Sequence, residues 1–571
     1  MAAGPKKPVN IFKLKNLGEP KNVWFIPQVN WRLWFAVISF GLLGAARGVD
    51  EGLIAGAFSS ADFQDSIRLS SYSLIEQTNI KGNVAAMVQL GSIGGALIAF
   101  VICDRIGRIW ATRQLCALWI LGIALFMGNN GSLGAIYAGR FIAGLGVGQT
   151  AVVGPIYIAE ITPASIRGLC TCIFTGFVYL GIVLAYLANY GAQVQLGDTT
   201  HARWLAPTSI HIIFATIILV MTIFQYESPR YLIKIGKPEA ALLNMSRLRN
   251  LPTTDPYLVQ EMKAIEASHR EEIAEMSDTG FLGVLKEMFC LPSNFYRIYL
   301  ATMAQLMAQW SGAGSITVYA IDLFMLLGFN GENEPLLIAV IFGVVKLLSA
   351  VCCALFLVDV IGRKRSLMAG ILLQAIAMVY VASFLSSVPQ LGVATDFVLP
   401  KSLVPASYGA IAMIFVSGIG WALGWNSMQY LLTAELFPLR IRAVSTSLAM
   451  TVHFANSFGN SRSLPHMLLP MDHGGLGPAG TFWFFAAVTI AGGAWVWFFI
   501  PETAGRDLES MNKLFELPWY RIGRYGNADA DRVEVLDGSR HPDTDTGMST
   551  LKRVHANVSV EEKRENGHSI V

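Results

Sequence analysis

Residues Gly41 to Phe58 read GLLGAARGVDEGLIAGAF, and three of them are ionisable within a run apolar enough to cross a bilayer. Counted from Leu33 at 1.5 Å per residue, Arg47, Asp50 and Glu51 lie about 20 Å along a helix, near the middle of the hydrocarbon layer. A charge at that depth costs roughly 2.5–3.5 kcal/mol on insertion scales, so such residues face a bundle interior or a water-filled cavity and mark an ion or substrate path. Arg47 is three residues from Asp50 and four from Glu51, so one pair can neutralise itself on a single helical face. The other carboxylate is then free to take and release a proton.

Composition agrees with a membrane setting. The chain has 571 residues, 53% hydrophobic and only 14% charged, too few charges for the solvated surfaces of several soluble cores. A net charge of +3, with the basic residues spread over loops, gives no reason to expect a nucleic-acid partner. The seven cysteines fall mostly in apolar runs without metal-ligand spacing and read as small packing residues. With no metal-spaced histidines, no phosphate loop and no nucleophile motif, neither an enzyme nor a cofactor nor a metal is expected.

Apolar runs of spanning length recur near 33–58, 83–103, 111–128, 133–159, 169–192 and 206–225, and again near 297–327, 335–358, 366–388, 405–431, 443–469 and 478–500. The pattern predicts an all-α membrane protein of about twelve spans in two sets of six. Residues 1–32 form a cytoplasmic N-terminal segment, 33–225 a first bundle, 226–296 a cytoplasmic helical insert, 297–505 a second bundle, and 506–571 a polar, largely disordered tail. The first thirty residues hold five lysines without the short core of a cleavable signal, so the first span directs insertion. Arg105, Arg108 and Arg113, then Arg167, then Arg363, Lys364 and Arg365, then Arg440 and Arg442 all fall on the side of the N-terminus, which places both termini in the cytoplasm. The sequon Asn130-Gly131-Ser132 lies in an outer loop too short to favour glycosylation.

The two sets repeat one another. CDRIGRIWATR follows the second span and VDVIGRKRS the eighth, so Asp104 and Arg108 correspond to Asp359 and Arg363. IAEITPASIRG and TAELFPLRIRA likewise match Glu160 and Arg167 to Glu435 and Arg442. Carboxylates and guanidiniums at these turns can interlock on the cytoplasmic face and release as the halves rock apart.

These motifs, with GRFIAGLGVGQTAVVGPIYIAEITPASIRG, ESPRYL after span six and PETAGRDLE after span twelve, resemble the sugar porter family of the major facilitator superfamily over roughly 33–510. The resemblance implies two six-helix bundles around a central cavity that opens alternately to each side. It adds Glu227 and Arg230 of ESPRYL to the cytoplasmic gate. The family's Phe-Gly-Tyr-Asp falls on Arg47-Gly48-Val49-Asp50; in proton-coupled members this aspartate titrates against the arginine of span four, here Arg140. The span-seven sugar motif reads Ala308-Gln309-Trp310-Ser311-Gly312-Ala313-Gly314, one glutamine and the asparagine short, with Tyr319 beyond. Span ten keeps Trp425, followed by Asn426-Ser427-Met428-Gln429.

Lys346 lies about 16 Å along span eight from Pro335, where the family commonly has asparagine, and Arg462 lies in the outer half of span eleven. A buried ammonium needs a partner, and a bound carboxylate supplies one; pairing of Lys346 within the protein and snorkelling of Arg462 are the alternatives. Lys346 with Gly-Val-Val, and Gln309-Trp310-Ser311-Gly312, resemble the fungal quinate and sugar-acid branch, which implies a monoanionic polyhydroxylated substrate such as quinate or D-galacturonate. The expectation is a monomeric plasma-membrane symporter, with Asp50 carrying the proton, Arg140 modulating it, Lys346 taking a carboxylate, and Gln305, Gln309, Tyr319, Trp425, Asn426 and Gln429 touching hydroxyls. A neutral hexose or pentose symporter and a non-transporting nutrient sensor are the rivals.

Overall fold

The computed structural model describes residues 30–163, 167–197, 200–277, 280–329, 331, 333–353, 363–391, 399–426, 436–502 and 514–523. The first six spans are α1 (Trp31–Ser59), α2 (Leu74–Ile106), α3 (Arg108–Met127), α4 (Leu133–Ile161), α5 (Arg167–Gln195) and α6 (Ala202–Met221). The insert holds α7 (Pro229–Lys234), α8 (Pro238–Arg249), α9 (Pro256–Ser277) and α10 (Gly280–Cys290). Span seven is broken into α11 (Pro292–Trp310), α12 (Ala313–Val318) and α13 (Ala320–Leu326). Then come α14 (Glu334–Cys352), α15 (Arg363–Ser387), α16 (Val404–Leu423), α17 (Leu439–Met467), α18 (Gly477–Phe499) and the short α19 (Trp519–Ile522). Among the described residues ten helices are long and apolar enough to cross a membrane; the broken α11–α13 and the more polar α17 bring the count to the twelve spans expected from the sequence.

Helix starts follow local chemistry. Asn30 caps α1, its side chain accepting from the Arg32 and Leu33 amides at 2.8 and 3.2 Å. Ser73 and Glu76 form a capping box, which starts α2 nine residues before the apolar run and brings Asn79 and Lys81 onto the helix. Span seven breaks because Gly312 sits at φ +88°, a conformation glycine adopts without strain, and a Cβ there would lie 2.6 Å from the Phe485 ring.

The stretch Gly41–Phe58 carries a second pattern besides its charges. Gly41, Gly44, Gly48, Gly52 and Gly56 recur at helical spacing on the face of α1 that meets α5, and a Cβ on Gly48 would run into the Val178 carbonyl. The two backbones therefore touch, as small-residue seams allow in membranes. Gly48→Ala is expected to force this seam apart at about 1–3 kcal/mol, the range for overpacking. A lower unfolding midpoint in detergent, together with lost transport, checks it; an unchanged midpoint rules it out.

Within the first half α1 packs on α4, α5 and α6, and α4 on α2 and α3; within the second, α15 packs on α16 and α18, and α11 on α17 and α18. The halves meet where α2 runs along α17, α5 along α14, and α1 beside α12. The insert has its own small core around Leu232, Met245, Leu258 and Met262. It is clamped to the first half by Arg249, fully buried, which donates to the Ile161 carbonyl at 2.7 Å and pairs with both Glu261 oxygens. Within the polar tail, Leu514 and Phe515 are buried, and the Phe515 ring lies 4.5 Å from the Arg297 guanidinium.

Candidate functional site

Helix α1 turns two ion pairs in two directions. Asp50 Oδ1 accepts from Arg140 Nη1 at 2.6 Å, and both residues are almost completely buried, at 4% and 3% exposed. Arg140 Nε also donates to the Val84 carbonyl at 3.2 Å, while its Nη2 has no hydrogen-bond partner among the described residues. This pair lies behind the wall of the central chamber, among α1, α2 and α4. The other pair faces the chamber: Arg47 Nε donates to Glu51 Oε1 at 2.8 Å, each side chain 13% exposed. The opening stretch thus separates a buried couple from one in reach of a solute.

The chamber lies between the halves, lined from α1, α2, α5, α11, α12, α14, α16 and α17, and encloses about 590 Å³ of space between atoms, including the part open to water. Among the described residues its charged wall residues are Arg47, Glu51 and Lys346. Lys346 Nζ donates to Thr317 Oγ1 at 2.6 Å and lies 5.2 Å from the ring centroids of Tyr179 and Phe342. The ammonium is thus held by a hydroxyl and two aromatic faces. Among the described residues, no carboxylate lies within ion-pair distance of it.

Gln309 and Asn426 also stand on the wall. Gln305, Tyr319 and Trp425 do not. Gln305 is fully buried one turn behind Gln309, its Oε1 2.9 Å from His453 Nδ1, and the same nitrogen lies 3.2 Å from Gln309 Nε2. One tautomer of His453 donates to Gln305 and the other accepts from Gln309, so this ring sets how Gln309 presents its amide. Tyr319 spends its hydroxyl on the Ser461 carbonyl at 3.0 Å, because the break at Gly312 turns the following residues toward α17. Trp425 is packed in the second half at 1% exposed. Gln429 lies outside the described residues.

Several wall residues stand outside the motifs read from the sequence, among them Gln89 on α2, Tyr179 on α5, Trp421 on α16 and Asn460 on α17. Asn460 was within reach of a closer reading, since His453, Ser457, Asn460 and Ser461 form a polar stripe at helical spacing in an otherwise spanning run. Among the described residues, the wall atoms Ser315 Oγ, Asn426 Nδ2 and Asn460 Oδ1 have no protein hydrogen-bond partner. Between them they offer a donor and acceptors, the complement of a solute with several hydroxyls.

At the turn between α2 and α3, Arg108 pairs with Glu160 at 2.8 Å and with Asp104 at 3.5 Å, and Lys234 of the insert pairs with Asp104 at 2.8 Å. Glu227 accepts from the Arg108 and Ile109 amides at the start of α3. Glu502 of PETAGR does the same for the Arg363 and Lys364 amides at the start of α15, at 2.8 and 3.2 Å. Each half thus caps its third helix with a carboxylate from the end of its sixth, where it meets the positive end of the helix dipole. Burial raises the Glu227 carboxyl above the usual carboxylate range, against the pull of its three backbone donors. Arg230 is exposed. Asp359 and Glu435 lie outside the described residues, and the side chains of Arg167 and Arg442 are outside the description too. Among the described residues none of these ion pairs joins the two halves, so the interlocking seen here is within the first half and its insert.

At the opposite end of α2 the halves do meet through a charge. Arg462 neither snorkels freely nor enters the chamber; it donates to Asn79 Oδ1 at 2.6 Å, and His466 Nε2 lies 3.1 Å from the same oxygen. Tyr186 adds a second link, donating to the Thr317 carbonyl at 2.6 Å.

The family described as Sugar (and other) transporter matches residues 35–515. The quinate permease of Emericella nidulans is 30% identical over 492 residues, covering 85% of this chain and 89% of its own. A probable quinate permease of Aspergillus niger is 29% identical over 502 residues, covering 87% and 89%. Among solved structures, the major facilitator proton:xylose symporter XylE bound to 6-bromo-6-deoxy-D-glucose superposes with a TM-score of 0.69 at 22% identity, covering 85% of this chain and 99% of its own.

Proposed function

The chain belongs to the sugar porter family of the major facilitator superfamily, beside fungal quinate permeases, and from that premise we propose that it takes up a monoanionic polyhydroxy acid of the quinate or D-galacturonate class together with a proton. As a member it is a multi-pass membrane transporter and not an enzyme. The observation that carries the substrate reading is the charge of the chamber wall. Among the described residues it holds two cations, Arg47 and Lys346, against one carboxylate, Glu51. A neutral sugar leaves that surplus uncompensated in a largely desolvated space, whereas a single carboxylate cancels it. The proton reading is supported by Asp50, buried against Arg140 and apart from the chamber, so that substrate and proton need not compete for one carboxylate. In this reading the protein works as a monomer in the plasma membrane with both termini cytoplasmic. Proton-coupled entry of an anion suits an inside-negative cell, where each elementary charge moved is worth about 2.3 kcal/mol per 100 mV.

Uptake of labelled galacturonate, quinate and glucose by a transport-deficient cell tests it: the acids are expected to enter and to compete with one another. Glucose uptake indifferent to excess acid rules the substrate class out. Lys346→Ala removes one of the two chamber cations and is expected to raise the KM for the acid about tenfold, the equivalent of ~1.4 kcal/mol, while neutral-sugar uptake holds. The hydrogen bond from Lys346 to Thr317 favours the rival, a neutral hexose or pentose symporter in which the lysine is structural; an equal effect on both solutes decides for it.

A further inference from the structure

We propose that Arg47 is the residue that receives the substrate carboxylate, and that Glu51 is its placeholder, an internal carboxylate that holds the guanidinium until an anion enters. The inference rests on the anionic-substrate reading above and names the group that makes the choice. Arg47 and Glu51 sit one turn apart on the same helix and both face the chamber. They meet side on, Nε to Oε1. With the cation N-terminal to the carboxylate this is the weaker order for an i,i+4 pair, and a rotamer change in Glu51 alone parts it. Both cations lie over aromatic faces, Arg47 over Phe454 at 5.7 Å and Lys346 over Tyr179 and Phe342, so the distinction is one of shape: the planar fork of a guanidinium matches a carboxylate in two-point contact, whereas the ammonium of Lys346 is a point charge hydrogen-bonded to Thr317.

Charge balance gives the exchange its direction. When the substrate takes Arg47, Glu51 turns into the chamber it shares with Lys346, and each of the four charges keeps an opposite one. A neutral solute offers nothing in return for Glu51 and leaves the Arg47–Glu51 pair closed. The device therefore admits acids by substitution and screens out neutral sugars of the same shape. Arg47 stands at the position where the family's motif has an aromatic residue, so the exchange belongs to this chain's own chemistry.

Initial uptake rates for labelled quinate, galacturonate and glucose, measured in cells with matched surface expression, test this in the wild type, E51Q, E51D and R47K. E51Q removes the placeholder and is expected to lower the acid KM about tenfold, the equivalent of ~1.4 kcal/mol, with glucose uptake unmoved. E51D draws the carboxylate back and is expected to lower the KM by less, which serves where E51Q does not reach the membrane. R47K keeps the charge but not the fork and is expected to raise the acid KM about tenfold; a mere field effect of Glu51 leaves R47K like the wild type and overturns the proposal. An acid KM unchanged in both Glu51 variants, or acid and glucose shifted alike, also overturns it. Wild-type protein that carries glucose but no acid removes the substrate reading itself, a result visible before any variant is read.

Discussion

Asp50→Asn is expected to exchange substrate across a membrane and to lose all ability to concentrate it. The amide has the shape of the protonated acid and can still sit beside Arg140, so the loaded carrier reorients as before; what it lacks is a group that gives the proton up again. In proteoliposomes with pH clamped equal on both sides, counterflow of the acid substrate should run at a rate comparable to the wild type. With an inward tenfold proton gradient, worth ~1.4 kcal/mol and enough for about tenfold accumulation, the wild type should concentrate the solute and the variant should stop at equal concentrations. The geometry that makes this a clean experiment is the separation of the two pairs on α1: the substitution touches the couple behind the wall and leaves Arg47, Glu51 and Lys346 in place. An asparagine variant that still accumulates substrate assigns the proton to another group.

Arg140→Ala is expected to be the more damaging change. It leaves Asp50 in the interior without its guanidinium, and truncating one partner of a buried pair costs about 3–5 kcal/mol. It also removes the donor to the Val84 carbonyl, a link between α4 and α2. Low folded yield and a depressed unfolding midpoint in detergent should follow. The double variant Asp50→Asn/Arg140→Ala, with neither charge left, should regain most of the midpoint while still failing to accumulate substrate. Four midpoints close the cycle and isolate the coupling between the two residues. Additive losses, or an Arg140→Ala protein as stable as the wild type and still concentrating its substrate, remove the pair from the mechanism.

How far the sequence carries the reader can be judged residue by residue. The spans were legible because the bilayer demands a length and an apolarity that few other settings demand, and the halves because a repeated motif survives in loops that have the same job twice. The Asp50–Arg140 contact came from resemblance, ninety positions apart in the chain and invisible to local pattern. What stayed hidden depended on which way a helix is rotated. Gln305 and Gln309 share a face, yet α17 leans across the first and leaves only the second on the chamber wall. Tyr319 follows a break in the helix that resets its phase, so counting turns from Gln309 points it the wrong way. Tyr179 and Trp421 look like ordinary membrane aromatics until the chamber is drawn between them. The glycine seam of α1, by contrast, was in plain sight in GLLGAARGVDEGLIAGAF, overlooked because charges in lipid draw the eye first.

That seam limits how the machine can move. Where two main chains rest against each other there are no side chains to slide or swing, so α1 and α5 travel as one plank, and the acid riding on the first keeps its place relative to the second. Any stroke that lets water in from one side has to be taken up elsewhere, along the lines where α5 faces α12 and α2 faces α17 and the contact is made by tyrosine, serine, arginine and asparagine side chains that can let go. The stiff part of the carrier and its loose joints are thus written in different residue types.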